Sequence, residues 1–261
     1  MIPALDLFRL DGKVALVTGG AGIYGSHIAR ALAEAGATVV VASRDAAKCQ
    51  AFADKLRRED LAVEAQRCDL ASENDIRELR DWLTGRYGKL DVLINNAVAR
   101  GGGDLHHVTA EQWESAMKVN STGLMLACRI FSEPMQAQRS GSIVNISSIY
   151  GMVGPDFSIY EGTSMMNPAD YAFAKGGMIN FTRYLASFLA PFNIRVNCLS
   201  PGGFETEGMP ESFLRNYKRK TLLRRMAEAD DIKGPVIFLA SEASRYITGQ
   251  NIAVDGGWTA V

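Results

Sequence analysis

Histidine and cysteine are scarce: the 261-residue chain has three of the first and four of the second. Cys49, Cys68, Cys128 and Cys198 are scattered, form no C-x-x-C pair, and have no histidines near them at metal-ligand spacing. A zinc site, a dithiol redox centre and a disulfide framework are thereby excluded, and the cysteines read as reduced core thiols with no metal. Charge of either sign is not in excess, since 28 basic side chains face 29 acidic ones. That balance gives no electrostatic footprint for nucleic acid or a membrane surface. No apolar run approaches the roughly 20 residues that span a bilayer. The opening stretch "MIPALDLFRLDGK" lacks an apolar signal core, so a cytoplasmic protein is expected. Internal repeats, low-complexity tracts and linkers are also missing, which predicts one domain over 1–261. What remains is a chain 47% hydrophobic, able to bury a sizeable core, whose partners are small molecules or copies of itself.

Seven short runs rich in β-branched residues punctuate it: "KVALVTGG" (13–20), "TVVVAS" (38–43), "AVEAQRCDL" (62–70), "LDVLINNA" (90–97), "GSIVNISS" (141–148), "IRVNCLSPGG" (194–203) and "QNIAVDGG" (250–257). Between them, segments such as 26–35 and 74–87 repeat apolar residues at helical spacing. Near-continuous apolar strands alternating with helices predict an α/β fold with a seven-stranded parallel sheet covered on both faces. The first strand leads into "TGGAGIYGSHIARALAEAGA", where Gly20, Gly22 and Gly25 form G-x-G-x-x-G between strand and helix. A turn without Cβ atoms lets backbone N–H groups at a helix N-terminus approach a pyrophosphate.

Thr18-Gly19 through Gly25, "NNA" at 95–97, Asn120, Ser148, Tyr171-x-x-x-Lys175 and "PGG" at 201–203 stand in an order that resembles the short-chain dehydrogenases/reductases. The resemblance covers the whole chain, including the ending "ITGQNIAVDGG". It implies a single doubly wound Rossmann-type domain and an oxidoreductase interconverting a secondary alcohol and a ketone. Two departures stand out: Ile23 replaces a glycine usual in the compact branch, and Val98 replaces the glycine of "NNAG". The spacing "TGGAGIYG" matches the longer sugar-nucleotide branch, whereas chain length and ending match the compact one.

Tyr171 is singled out among three nearby tyrosines by chemistry. A phenol with a solution pKa of about 10 needs a neighbouring cation to favour its phenolate. In "YAFAK", Lys175 lies four residues on, on the same helix face, whereas Tyr150 and Tyr160 have Gly154 and Ser164 at that offset. By resemblance, Ser148 hydrogen-bonds the substrate oxygen, with Ser147 as the neighbouring decoy, and Asn120 holds a water linking Lys175 to solvent. Resemblance also gives the cofactor wall: Thr18, Gly19, Gly20, Gly22, Ile23, Tyr24 and Gly25 around the phosphates; Asp69 and Leu70 at the adenine; Asn95, Asn96 and Ala97 at the adenosine ribose. Tyr171, Lys175, Pro201, Gly202, Phe204 and Thr206 complete it at the nicotinamide.

The second strand ends "VVVASRDAAK", with Ser43 where an acidic residue would select NAD(H) and Arg44 next to it. A guanidinium suits a 2′-phosphate, so NADP(H) is favoured over NAD(H), while Asp45 is a candidate helix cap. Ser148 and Tyr171 lie further apart than in compact members, and the extra chain "FSIYEGTSMMNP" reads as a pocket wall or lid. Tyr150, Tyr160, Glu161 and Gly203, with Ser148, are the candidate substrate contacts, and Thr163, Ser164 and Asn167 add polar groups suited to a sugar or sugar acid. Arg100, His106 and His107, after the fourth strand, are expected near the same opening, with the histidines read as surface residues. A basic run holding Arg215, Lys218, Arg219, Lys220, Arg224 and Arg225, with Lys233 beyond it, offers an electrostatic lid for an acidic substrate. A homodimer or homotetramer is expected. The alternatives are a sugar-nucleotide epimerase or dehydratase, and a dinucleotide-sensing protein without turnover.

Overall fold

The computed structural model describes residues 1–261. Seven strands, β1 (Val14–Thr18), β2 (Thr38–Ser43), β3 (Val63–Arg67), β4 (Val92–Asn95), β5 (Gly141–Ile146), β6 (Ile194–Pro201) and β7 (Asn251–Val254), form one sheet in the order β3-β2-β1-β4-β5-β6-β7. Every pairing is parallel. Successive residues of β1 show why its sequence is apolar throughout: Val14 and Leu16 enter one core layer, Ala15 and Val17 the other. Helices α1 (Ile23–Glu34), α2 (Ala46–Arg57) and α8 (Lys233–Ala240) cover the second layer, with Ile28, Leu32, Leu56 and Val236 fully buried. Helices α3 (Glu73–Tyr87), α5 (Leu124–Gln138) and α6 (Ala169–Leu189) cover the first, around Leu93, Ile130 and Phe131. Two shorter helices, α4 (Ala110–Met117) and α7 (Glu211–Lys220), flank the carboxyl edge of the sheet.

The order in which strands are added reverses between β1 and β4: β2 and β3 build outward on one side of β1, and β4 returns to the other. At such a switch point the loops diverge and leave a crevice at the carboxyl ends of the strands. Six of the seven strands stop before the apolar run that marks them does, and only β2 ends where the sequence places it. The surplus residues, among them Gly19, Asn96-Ala97 and Ser147-Ser148, form the crevice walls, whereas Gly20, expected at the phosphates, is buried against Val41 and lines neither cavity.

Local signals set the helix ends. Asp45 accepts from the Lys48 N–H at the start of α2, Ser72 accepts from Asp75 N–H at α3, and Thr109 forms a capping box with Gln112 at α4. Helix α1 begins at Ile23, ahead of the expected Ser26, because Gly22 is extended and acts as its cap residue without a side chain. All four cysteines are buried and free. No helix is long and apolar enough to cross a membrane.

Candidate active site

The β1–α1 turn is built around contacts that admit no side chain. A Cβ on Gly25 would lie 2.1 Å from the Gly19 carbonyl oxygen, and Gly19 itself has a left-handed φ of 63°. Asn96 clamps the turn, its amide donating to the carbonyls of Thr18 and Gly19 at 3.0 Å each. Thr18 Oγ1 donates to Ile94 O and accepts from the Asn96 and Ala97 N–H groups, tying the turn to the end of β4. With no side-chain cap on α1, its first N–H groups face the crevice, where the helix dipole favours an anion.

On one side of this turn a cavity of about 590 Å³ is lined by Ser43, Arg44, Asp69, Leu70 and Ala97. Ser43 is turned inward locally, its hydroxyl near Asp45 O and Cys49 Sγ, while Arg44 is exposed and has no acidic partner. Lys48 also lines this cavity. Sequence reasoning missed it, although its place three residues after the Asp45 cap puts it on the first turn of α2. Asp69 is partly committed, with Oδ1 accepting from Ala71 N–H. Asn95 does not line the ribose side as expected: it is buried within the sheet, donating to Asn145 Oδ1 and Cys128 Sγ. Strand alternation sends Asn95 inward and leaves Asn96 at the crevice.

A second cavity of about 590 Å³ lies on the other side of the turn and shares Gly19, Gly22, Ala97 and Val98 with the first. Ser148, Tyr150, Tyr171 and Lys175 face it together with Ile23, Tyr24, Pro201, Gly202, Gly203, Phe204 and Thr206. Lys175 is buried, donates from Nζ to Ile146 O at 2.6 Å, and lies 5.6 Å from the Tyr171 ring centre. Burial holds this lysine below the usual lysine range, and the Tyr171 hydroxyl works in the opposite direction. The Ser148 hydroxyl accepts only the Tyr150 N–H, whereas Ser147 spends its hydroxyl on the Lys175 carbonyl at 2.8 Å. Tyr24, raised in pKa by burial, donates to Gly202 O at 2.8 Å and meets Phe204 edge-on, so the glycine turn and the post-β6 loop form one wall.

Asn120 sits in a π-helical turn, Lys118–Gly123, between α4 and α5. Its carboxamide accepts from Ala99 N–H at 2.8 Å and donates to Ala99 O at 2.7 Å. The side chain expected to hold a water thus fastens the loop after β4 with one donor and one acceptor.

The extra chain between Ser148 and Tyr171 does form a roof. Tyr160, Met165, Met166, Asn167 and Pro168 line the cavity, and the single turn Phe157–Tyr160 stacks Tyr160 on Phe213 of α7 at 5.5 Å. Glu161 does not join them. It is exposed outside the lining, Ser164 is exposed too, and Thr163 spends its hydroxyl on Tyr160 O. The basic run also turns away: α7 presents Phe213 and Tyr217 to the cavity, while Lys218 and Lys220 pair with Glu205 and Asp156 and Arg225 with Asp231. None of the basic side chains expected to form an electrostatic lid lines the cavity. His106 and His107 are exposed, the latter against Asp104. Arg100, by contrast, lines the cavity.

Comparison with known proteins places this geometry. The family model described as Enoyl-(Acyl carrier protein) reductase matches residues 19–259. The chain is 33% identical over 253 residues to 3-oxoacyl-(acyl-carrier-protein) reductase FabG of Aquifex aeolicus, covering 95% of this chain and 98% of that one. The crystal structure of a short-chain type dehydrogenase/reductase from Mycobacterium marinum superposes with a TM-score of 0.89 at 31% identity, covering 100% of both chains. The chain belongs to the short-chain dehydrogenase/reductase family. Members are NAD(P)-dependent oxidoreductases acting on CH–OH groups. A gluconate 5-dehydrogenase of this family from Burkholderia cenocepacia J2315, solved in complex with NADP and tartrate, is 33% identical with a TM-score of 0.89, covering 99% of this chain and all of that one. The residues present here fit the dinucleotide of a short-chain dehydrogenase/reductase: two cavities joined at an uncapped helix start, over a glycine cradle that a single Cβ would fill.

Proposed function

We propose that residues 1–261 act as one NADP(H)-preferring oxidoreductase domain that interconverts a secondary alcohol and a ketone on a sugar or sugar acid. The observation that carries this reading is Tyr171 and the buried Lys175 facing one cavity with the free Ser148 hydroxyl. When bound, the nicotinamide cofactor supplies or accepts the hydride. In the reducing direction Tyr171 gives its phenolic proton to the carbonyl oxygen, and Ser148 donates a hydrogen bond to the same oxygen as charge develops there. The Lys175 ammonium, anchored on Ile146 O, favours the phenolate left behind. In oxidation the same groups run in reverse. Asn120 acts through the backbone, holding Ala99 and so the cavity wall.

The adenosine cavity supports the cofactor preference, since Ser43 brings no carboxylate and Arg44 and Lys48 bring two cations without acidic partners. Support for a polyhydroxylated substrate comes from the gluconate 5-dehydrogenase likeness, with Asn167 the amide that the roof brings to the cavity. Steady-state oxidation of NADPH and NADH with a panel of ketoses, keto acids and aliphatic ketones tests the reading. Turnover faster with NADPH and confined to carbonyl substrates is expected; cofactor binding without turnover on any carbonyl would contradict it.

The protein is proposed to work as a homodimer or homotetramer. Tyr184 and Phe188 on α6 are 60% and 59% exposed, and Tyr184 stacks between Phe181 and Phe188 at ring separations near 6 Å, an apolar ladder suited to a twofold contact. Light scattering at micromolar concentration should give at least twice the chain mass, falling toward one in Phe188→Glu; a monomeric wild type would refute it.

A further inference from the structure

Arg100 and Lys175 are the only charged side chains that line the substrate cavity, and no carboxylate lines it. Lys175 is engaged by Ile146 O, but the Arg100 guanidinium forms no ion pair or hydrogen bond within the protein. Its Cζ stands over the Tyr171 ring, 5.3 Å from the ring centre. The backbone on both sides of it is fastened. Ala99 is bonded through both its N–H and its carbonyl to Asn120, and the Gly101 N–H donates to Asp170 Oδ2 at 3.2 Å. Gly101 lies so close to α4 that a Cβ there would fall 2.7 Å from Gln112 O. Asp170 is fully buried, directly before Tyr171 on α6, and its other oxygen has no partner.

An unpaired guanidinium on a tethered loop is a recognition element whose ligand is missing from the chain itself. Two like charges facing one cavity oppose each other until an anion enters: burial is the main reason Lys175 lies below the usual lysine range, and Arg100 pushes the same way. The planar fork of arginine pairs with carboxylate or phosphate in two parallel hydrogen bonds. Lys175 is held on Ile146 O beside Tyr171, so the Arg100 guanidinium alone is left to pair with an anion, which matches the single charge of a carboxylate.

We propose that Arg100, held in place by Asn120 and Asp170, binds a carboxylate carried by the substrate and makes the enzyme selective for hydroxy acids and their keto acids over neutral alcohols and ketones. This rests on the alcohol–ketone reading above. Arg100 is a specificity residue, and Asp170 a positioning residue that acts through Gly101.

The test is calorimetric titration of the protein saturated with reduced cofactor, a dead-end combination in which no alcohol can be oxidised, using gluconate against sorbitol and 4-hydroxycyclohexanecarboxylate against 4-(hydroxymethyl)cyclohexanol. At least one acid should bind tenfold or more tightly than its neutral counterpart, as a charge-assisted pair implies. Arg100→Gln should erase that difference and leave the neutral compound and the cofactor binding as before. Asp170→Ala should reduce the acid preference, and Asp170→Asn, which keeps an acceptor for Gly101, should restore it. Equal binding of acid and neutral partner by the wild type, or a preference surviving Arg100→Gln, overturns the proposal. So does sorbitol 6-phosphate binding more tightly than either acid through Arg100. Full acid preference in a folded Asp170→Ala protein overturns the positioning role. Binding is read without turnover, so a protein that prefers the acids yet oxidises none would fault the alcohol–ketone reading and leave Arg100's role standing.

Discussion

Tyr171→Phe should lower turnover by about 10²–10⁴-fold, the range that a positioned acid or base contributes, with fold and cofactor affinity retained. The ring remains, so its packing against the Arg100 guanidinium and the Lys175 ammonium is kept, and only the ionisable oxygen is lost. Proton transfer to the substrate oxygen then has no donor at the right place, since Ser148 can stabilise charge but is far too weak an acid to replace a phenol. Tyr160→Phe is the matched control. Its hydroxyl bonds the Tyr150 hydroxyl at 3.1 Å and its ring stacks on Phe213, so its loss should loosen the roof and leave most of the turnover. Turnover at saturating substrate and thermal melting of both variants decide the matter; near-normal turnover in Tyr171→Phe would remove that residue from the chemistry.

Arg44→Ala should weaken NADPH roughly ten- to hundredfold and leave NADH nearly unchanged, because a charge-assisted hydrogen bond contributes about 1.5–3 kcal/mol. Arg44 is exposed at the rim of the adenosine cavity with no carboxylate to satisfy it, so its removal disturbs no internal contact. Lys48 on the same rim should retain part of the phosphate attraction and keep the loss toward the lower end of the range. Both effects should shrink as salt rises, since charges at the surface are screened over about 8 Å at physiological ionic strength. Fluorescence titration of both cofactors at low and moderate salt measures this. Equal losses for NADH and NADPH would mean that Arg44 supports the pocket rather than reading the phosphate.

The fold was legible because every central strand is buried on both faces, which makes its apolar run long enough to read. Strand ends were not legible for the same reason that they matter. The runs continue into Gly19, Asn96-Ala97 and Ser147-Ser148, where the chain leaves the sheet to form the crevice. A shift of one residue there separates Asn96, which clamps the glycine turn, from Asn95, which is buried against Asn145. Tyr171 and Lys175 could be found because a phenol needing a cation fixes a helical spacing. Arg100 could be placed near the substrate opening by its position after the fourth strand, whereas Lys48 is a lone cation in no pattern, brought to the adenosine cavity only by the fold. Polarity misled at Glu161, which looks suited to a sugar and lies outside the lining. The basic run misled as well, although its spacing held the answer: Phe213 and Tyr217 share the inward face of α7, which turns Arg215 and Arg219 to solvent.

Transfer of a labelled hydride tests the alcohol–ketone chemistry most directly. NADPH carrying deuterium at the transferable position of C4, incubated with the ketone that supports the fastest turnover, should yield an alcohol with one deuterium on the carbinol carbon, one for each NADPH oxidised. The same reaction with Tyr171→Phe should give that product at a rate lower by two orders of magnitude or more. An isomerised or dehydrated product formed with no net oxidation of NADPH, or an alcohol without the label, would contradict it.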